Sequence, residues 1–252
     1  MEKQQAAIRV LELTHYYNTL PAVNKISFEV EVGSIFGLLG PNGAGKTTTI
    51  KMLTTLLPPT SGTATILGFD IRNASDDLRK KIGYLPQFSS ADTDLTGYEN
   101  LVISAKLYGL DSHLARDRIS EVIEFMGMTT FANQLVREYS GGMVRRLEIA
   151  QAIMHKPEVL FLDEPTVELD PGARKALWQT IQDLRESTHT TILMTTHDMY
   201  EADKLCNKVA FMHQGHIVAN DTPAKLKANL GPDASLNDVF LRYTGNSLHA
   251  KP

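Results

Sequence analysis

The chain has 252 residues, 42% hydrophobic and 21% charged, a balance typical of a globular domain and unlike that of a disordered or membrane-embedded chain. No stretch approaches the roughly 20 consecutive apolar residues that a bilayer crossing needs. A formal net charge of −4 supplies no electrostatic reason to bind nucleic acid or an anionic lipid surface directly.

The first residues, Met1 to Ala7, contain no apolar h-region, so the reading predicts no secretory signal and a cytoplasmic chain. Ile26, Phe28, Val30 and Val32 alternate with polar residues, the period of a strand with one face buried. Ser34 to Leu39 is short and apolar throughout, as a central strand covered on both faces would be, and it runs directly into a glycine-rich loop. Leu57 to Gly62 is a turn cluster. Further short apolar runs at Thr63 to Leu67, Ile82 to Leu85, Val159 to Leu162, Thr191 to Thr195 and Val209 to Met212 predict an α/β core with a largely parallel sheet. Between Gln87 and Pro157 helical periodicity replaces the strand signal, with Ile119, Val122, Ile123 and Met126 on one face. Leu177, Ile181 and Leu184, with Trp178, read as core packing of a helix following Pro171-Gly172. Cys206, the only cysteine, excludes an internal disulfide and reads as a buried thiol in a helical stretch. Gly231-Pro232-Asp233 marks a turn before a short final helix, Ser235 to Tyr243.

Three motifs carry chemistry. Gly40-Pro41-Asn42-Gly43-Ala44-Gly45-Lys46-Thr47 places consecutive backbone N–H groups around phosphate oxygens, and the helix beginning near Gly45 adds its positive end. Lys46 brings a point charge to the β- and γ-phosphates, Thr47 a hydroxyl for Mg²⁺, and Thr48 a further phosphate contact. By itself this loop leaves kinases, GTPases and ATPases open. Asp163 and Glu164 end an apolar strand, so their side chains diverge: Asp163 is expected to hold the magnesium shell and Glu164 to act as general base on the attacking water. Ser140-Gly141-Gly142 sets a hydroxyl and small residues at a helix start, where N–H groups can meet an anion.

With Ser140-Gly141-Gly142 between those two motifs, the chain resembles the nucleotide-binding subunit of an ABC transporter from about Ile8 to about Gly245. The resemblance implies a P-loop ATPase fold with a largely parallel core sheet, an antiparallel β subdomain and an inserted helical subdomain. It places the nucleotide-binding domain at residues 1–230, the helical insertion at about 88–157 and a short extension at 231–252. It implies that Tyr17 stacks on adenine, that Gln87 senses the γ-phosphate and Mg²⁺, and that His197 is the switch histidine contacting the γ-phosphate. In that fold the Ser140 helix start cannot reach the ATP of its own chain. Two subunits, identical or different, would therefore sandwich two ATP molecules head to tail, Ser140 of one completing the site of the other.

Tyr139 stands where that family usually has Leu, and Met143 where it has a hydrogen-bonding Gln. Tyr139 to Met143, followed by Arg145-Arg146-Leu147-Glu148, resembles the drug, antibiotic and polysaccharide exporter branch, as does Asn237 to Leu241. Glu168 replaces a usual glycine. The implied activity is ATP hydrolysis driving a separate integral membrane permease, with the chain peripheral on the cytoplasmic face, bound to no nucleic acid and not itself inserted in the bilayer. The alternatives are a soluble ATPase of the same family that assembles or remodels a cytoplasmic complex, and a regulatory module that closes on ATP but hydrolyses it poorly.

Overall fold

The computed structural model describes residues 6–73 and 76–245; the expected leader-free start at Met1 to Gln5 and the end of the 231–252 extension lie outside them. In chain order the elements are β1 (Ala6–Tyr17), β2 (Leu20–Glu31), β3 (Ile35–Leu39), α1 (Lys46–Leu53), β4 (Ser61–Ile66), β5 (Phe69–Asp70), α2 (Asp76–Arg79) and β6 (Ile82–Leu85). They continue with α3 (Gly97–Leu107), α4 (Ser112–Phe125), α5 (Gly141–Ala152), β7 (Val159–Asp163) and α6 (Pro171–Thr188). The last are β8 (Thr191–Thr196), α7 (Met199–Leu205), β9 (Lys208–His213), β10 (His216–Asp221), α8 (Pro223–Ala228) and α9 (Leu236–Gly245). The chain divides into two compact units, one made of residues up to 78 and from 191 on, the other of 79–190.

In the first unit, β3 lies between β8 and β9 and pairs with both in parallel. All five β3 residues are buried, as a strand covered on both faces requires. β10 adds an antiparallel edge to β9. A separate antiparallel sheet runs in the order β2-β1-β4-β5, matching the expected β subdomain. Phe28 and Phe36 stack at 5.1 Å between ring centroids. At the far end of the unit, Phe240 of α9 meets Phe211 of β9 edge-on at 5.6 Å.

In the second unit β6 pairs in parallel with β7, whose five residues are all buried. The helical stretch expected after Gln87 comprises α3, α4 and α5. α3 begins with a reciprocal capping box between Thr96 and Glu99, which satisfies two backbone donors at once. Tyr139 holds the approach to α5: its hydroxyl donates to the Phe131 carbonyl at 2.8 Å and its ring meets Phe131 edge-on. Leu177, Ile181 and Leu184 are the buried stripe of α6, as expected, whereas Trp178 is half-buried beside them rather than in the core. Cys206 is buried but is not helical. It is the residue at which α7 ends, in extended backbone, because the neighbouring Asn207 side chain accepts from the Ile35 N–H and draws the chain into the sheet.

Candidate nucleotide site

The phosphate loop follows β3 in the first unit. Gly45 has φ +106°, and a Cβ there would lie 2.4 Å from the Ala22 carbonyl oxygen; only glycine combines that backbone with that approach. Ala22 and Val23 belong to β2, so the β1–β2 hairpin backs the loop. Pro41, Asn42 and Gly43 are exposed, whereas Ala44 and Lys46 are buried. The Lys46 ammonium donates to the Gly40 carbonyl at 2.7 Å and to that of Pro41 at 3.2 Å. Those carbonyls help to solvate the buried cation, whose charge suits phosphate oxygens. Thr47 and Thr48 lie in the first turn of α1, half-buried.

His197 occupies the same unit. Leu39 of β3 is in register with Thr196 of β8, so Gly40 and His197 leave the carboxyl ends of adjacent parallel strands, the edge at which open α/β sheets bind ligands. The Gly40 N–H donates to the Thr196 carbonyl, tying the two exits together. His197 is exposed. Tyr17 ends β1 with 47% of its surface exposed, and the buried His15 meets its ring edge-on at 4.6 Å. His15 is in turn held by the Pro58 carbonyl.

The second unit carries the remaining expected residues. Asp163 closes β7 and is fully buried; Glu164 follows, 4% exposed, with φ +50°. A left-handed conformation is unfavourable for a residue with a Cβ by about 1–2 kcal/mol, and strain of this kind gathers at functional positions. Burial pushes the Tyr84 hydroxyl of β6 up to about 12, and the charge of Asp163 adds to the effect. Gln87 is half-buried just beyond β6. Ser140 is the N-cap of α5, its hydroxyl accepting from the Met143 N–H at 3.3 Å. Ser140 and Gly141 are exposed.

The first unit therefore brings together the phosphate loop, His197 and the Tyr17 hairpin. The second holds Gln87, Asp163 and Glu164, and Ser140-Gly141-Gly142 at a helix start. Two supporting residues escaped sequence reasoning: His15, which shows no motif, and the buried Arg145, whose only signal was an Arg/Glu pair three residues apart on α5.

The sequence profile of the ABC transporter family matches residues 23–167. The chain belongs to that family. As an ABC ATP-binding subunit it binds ATP and hydrolyses it. It is 43% identical over 225 residues to the daunorubicin/doxorubicin resistance ATP-binding protein DrrA of Streptomyces peucetius, covering 89% of this chain and 68% of that protein. It is 40% identical to the Nod factor export ATP-binding protein I of Burkholderia pseudomallei (strain 1710b), over 90% of this chain and 75% of that one. A solved ATP-binding subunit of an ABC transporter superposes with a TM-score of 0.83 at 27% identity, covering 94% of this chain and 99% of the other. Among the described residues no helix is long and apolar enough to cross a membrane.

Proposed function

We propose that this ABC subunit works as a head-to-tail dimer, with itself or with a related subunit, that closes on two ATP molecules and powers export through a separate integral membrane permease. Its site residues are those of the resemblance: Tyr17 under adenine, Gly40 to Thr48 around the phosphates, Gln87 and His197 at the γ-phosphate, Glu164 as base, and Ser140-Gly141-Gly142 of the opposite subunit. The observation that carries the reading is the signature helix. Ser140 and Gly141 open the twelve-residue α5 at the surface, where the first N–H groups and the positive helix end are accessible to a nucleotide held by another molecule.

Thr47, Gln87 and Asp163 are all oxygen donors with a single carboxylate among them, the hard set Mg²⁺ selects. That fits an ion shared with substrate phosphates. Magnesium, when bound, supplies charge neutralisation at the β- and γ-oxygens. Glu164 accepts a proton from water as its oxygen attacks the γ-phosphorus, and the bond to the β–γ bridging oxygen breaks to release ADP and phosphate. Lys46 balances charge on the transferring group, and His197 donates to a γ-oxygen.

Export is supported by the relatives' names, which speak of drug resistance and Nod factor export. The permease contact is assigned to the 88–157 helical subdomain. Phe88 is 81% exposed and Leu107 82%, and a cavity of about 320 Å³ is lined by Leu110 and Leu114 together with the charged Asp117, Arg118, Glu121 and Lys156. Apolar side chains left open in this way suit an amphipathic cytoplasmic helix. Purification of the tagged chain from detergent-solubilised membranes tests this. An integral membrane protein should co-purify and be lost on Phe88→Asp/Leu107→Asp substitution; recovery of soluble partners alone would favour the assembly ATPase instead.

A further inference from the structure

The Arg145 side chain, on the second turn of α5, is buried, and each of its five guanidinium N–H donors has an acceptor. Nε donates to the Pro165 carbonyl at 2.9 Å. One terminal nitrogen donates to the Pro86 carbonyl at 3.0 Å and to the Glu148 carboxylate at 2.9 Å. The other donates to the Asp163 and Glu164 carbonyls at 3.3 and 2.9 Å. The remaining oxygen of Glu148 accepts the Ser90 N–H at 2.8 Å, and both side chains of the pair are almost fully withdrawn from solvent.

Three consecutive carbonyls, of Asp163, Glu164 and Pro165, thus converge on one planar cation. They bracket the residue whose left-handed backbone aims the Glu164 carboxylate. A turn with a non-glycine residue in that conformation persists only where its surroundings over-determine it, and the guanidinium supplies that determination. The same ion pair grips the 86–90 segment at both ends, Pro86 through Arg145 and Ser90 through Glu148, with Gln87 between them. Lysine cannot reproduce this, since an ammonium has no planar fork to span several acceptors.

We propose that Arg145 and Glu148 are positioning residues for hydrolysis: one buried ion pair on the signature helix sets both the backbone of the general base Glu164 and the segment carrying Gln87. This rests on the assignment of Glu164 as base. Every guanidinium donor and both Glu148 oxygens are taken up by protein groups, so loss of the pair should misplace the base without weakening ATP binding, a fall in kcat with KM nearly unchanged.

The test uses the full chain with Arg145→Lys, the double variant Arg145→Met/Glu148→Met, and Glu164→Gln as a reference. The double variant removes both charges, so no lone charge is left buried, but it frees four carbonyls and the Ser90 N–H; circular dichroism of each variant therefore separates positioning from folding. Both Arg145 variants should keep wild-type affinity for a fluorescent ATP analogue within about twofold while kcat falls at least about tenfold. A folded Arg145→Lys protein with wild-type kcat, or one that raises KM alone, would overturn the proposal. Undiminished turnover in Glu164→Gln would instead overturn the assignment of the base, a failure distinguishable from that of the ion pair.

Discussion

Gly142 of α5 approaches Ala173 of α6 so closely that a Cβ on the glycine would lie 2.9 Å from the alanine Cβ. Neither methyl could rotate away, because both are fixed to helical backbone, so α5 would have to shift. Gly142→Ala is expected to cost about 1–3 kcal/mol in denaturant unfolding and to lower ATPase activity by displacing Ser140. Adding Ala173→Gly should restore both; failure of that rescue would show that the helix contact is not the cause.

Glu168, exposed in the loop before α6, adopts φ +63°. Glycine takes that backbone without steric cost, although it loses more entropy on folding. Glu168→Gly should therefore be neutral to stabilising, raising Tm by about 2–4 °C if 1 kcal/mol of strain is relieved. A clear drop in Tm by calorimetry would mean that the Glu168 side chain makes a compensating contact.

His155 links acid sensitivity to the helical region. Its Nε2 lies 2.9 Å from the Ile82 carbonyl and its ring stacks on Tyr108 at 3.8 Å. Burial holds its pKa below the ordinary histidine value, with the Arg118 charge acting in the same direction. The unfolded chain therefore takes up this proton at a higher pH than the folded one. Stability from the neutral ring is present above about pH 6.5 and declines as pH falls toward the lower folded pKa. In His155→Gln the slope of unfolding free energy against pH should be shallower in that window by up to about 1.4 kcal/mol per pH unit. An unchanged slope would remove His155 from the account.

Much of the architecture was legible because its signals are local. The buried run Ile35–Leu39 leading into Gly40, and Val159–Asp163 leading into Glu164, each carry strand and chemistry in one stretch. β1 was not, since its pairing with β2 shifts between Val10 and Leu13 and again on either side of His15. Glu12 adopts φ +50° there, and the bulge scrambles the period-two alternation on which strand recognition depends. Arg145 was legible as a residue but not as a hub, because four of its five acceptors are carbonyls, those of Pro86, Asp163, Glu164 and Pro165, and backbone oxygens leave no mark in a sequence.

Lys46 and Glu164 should separate binding from turnover. Glu164→Gln is expected to bind ATP and stay closed on it while hydrolysis falls by about 10²–10⁴-fold. Lys46→Ala should lose activity through loss of phosphate binding. Equilibrium binding and steady-state phosphate release distinguish the two; retained turnover in the Gln variant would mean another group takes the proton.

The proposed sharing of each hydrolytic centre between two chains can be tested by mixing two inactive variants. Lys46→Ala disables one face of a site and Ser140→Arg the opposite face. If the chain pairs with itself, a dimer holding one copy of each keeps a single intact centre, with Lys46 from one chain and Ser140 from the other. An equimolar mixture should then recover about a quarter of the wild-type rate, for statistical pairing and independent sites. No recovery, under conditions where mixed dimers demonstrably form and hold ATP at the intact centre, would contradict that sharing.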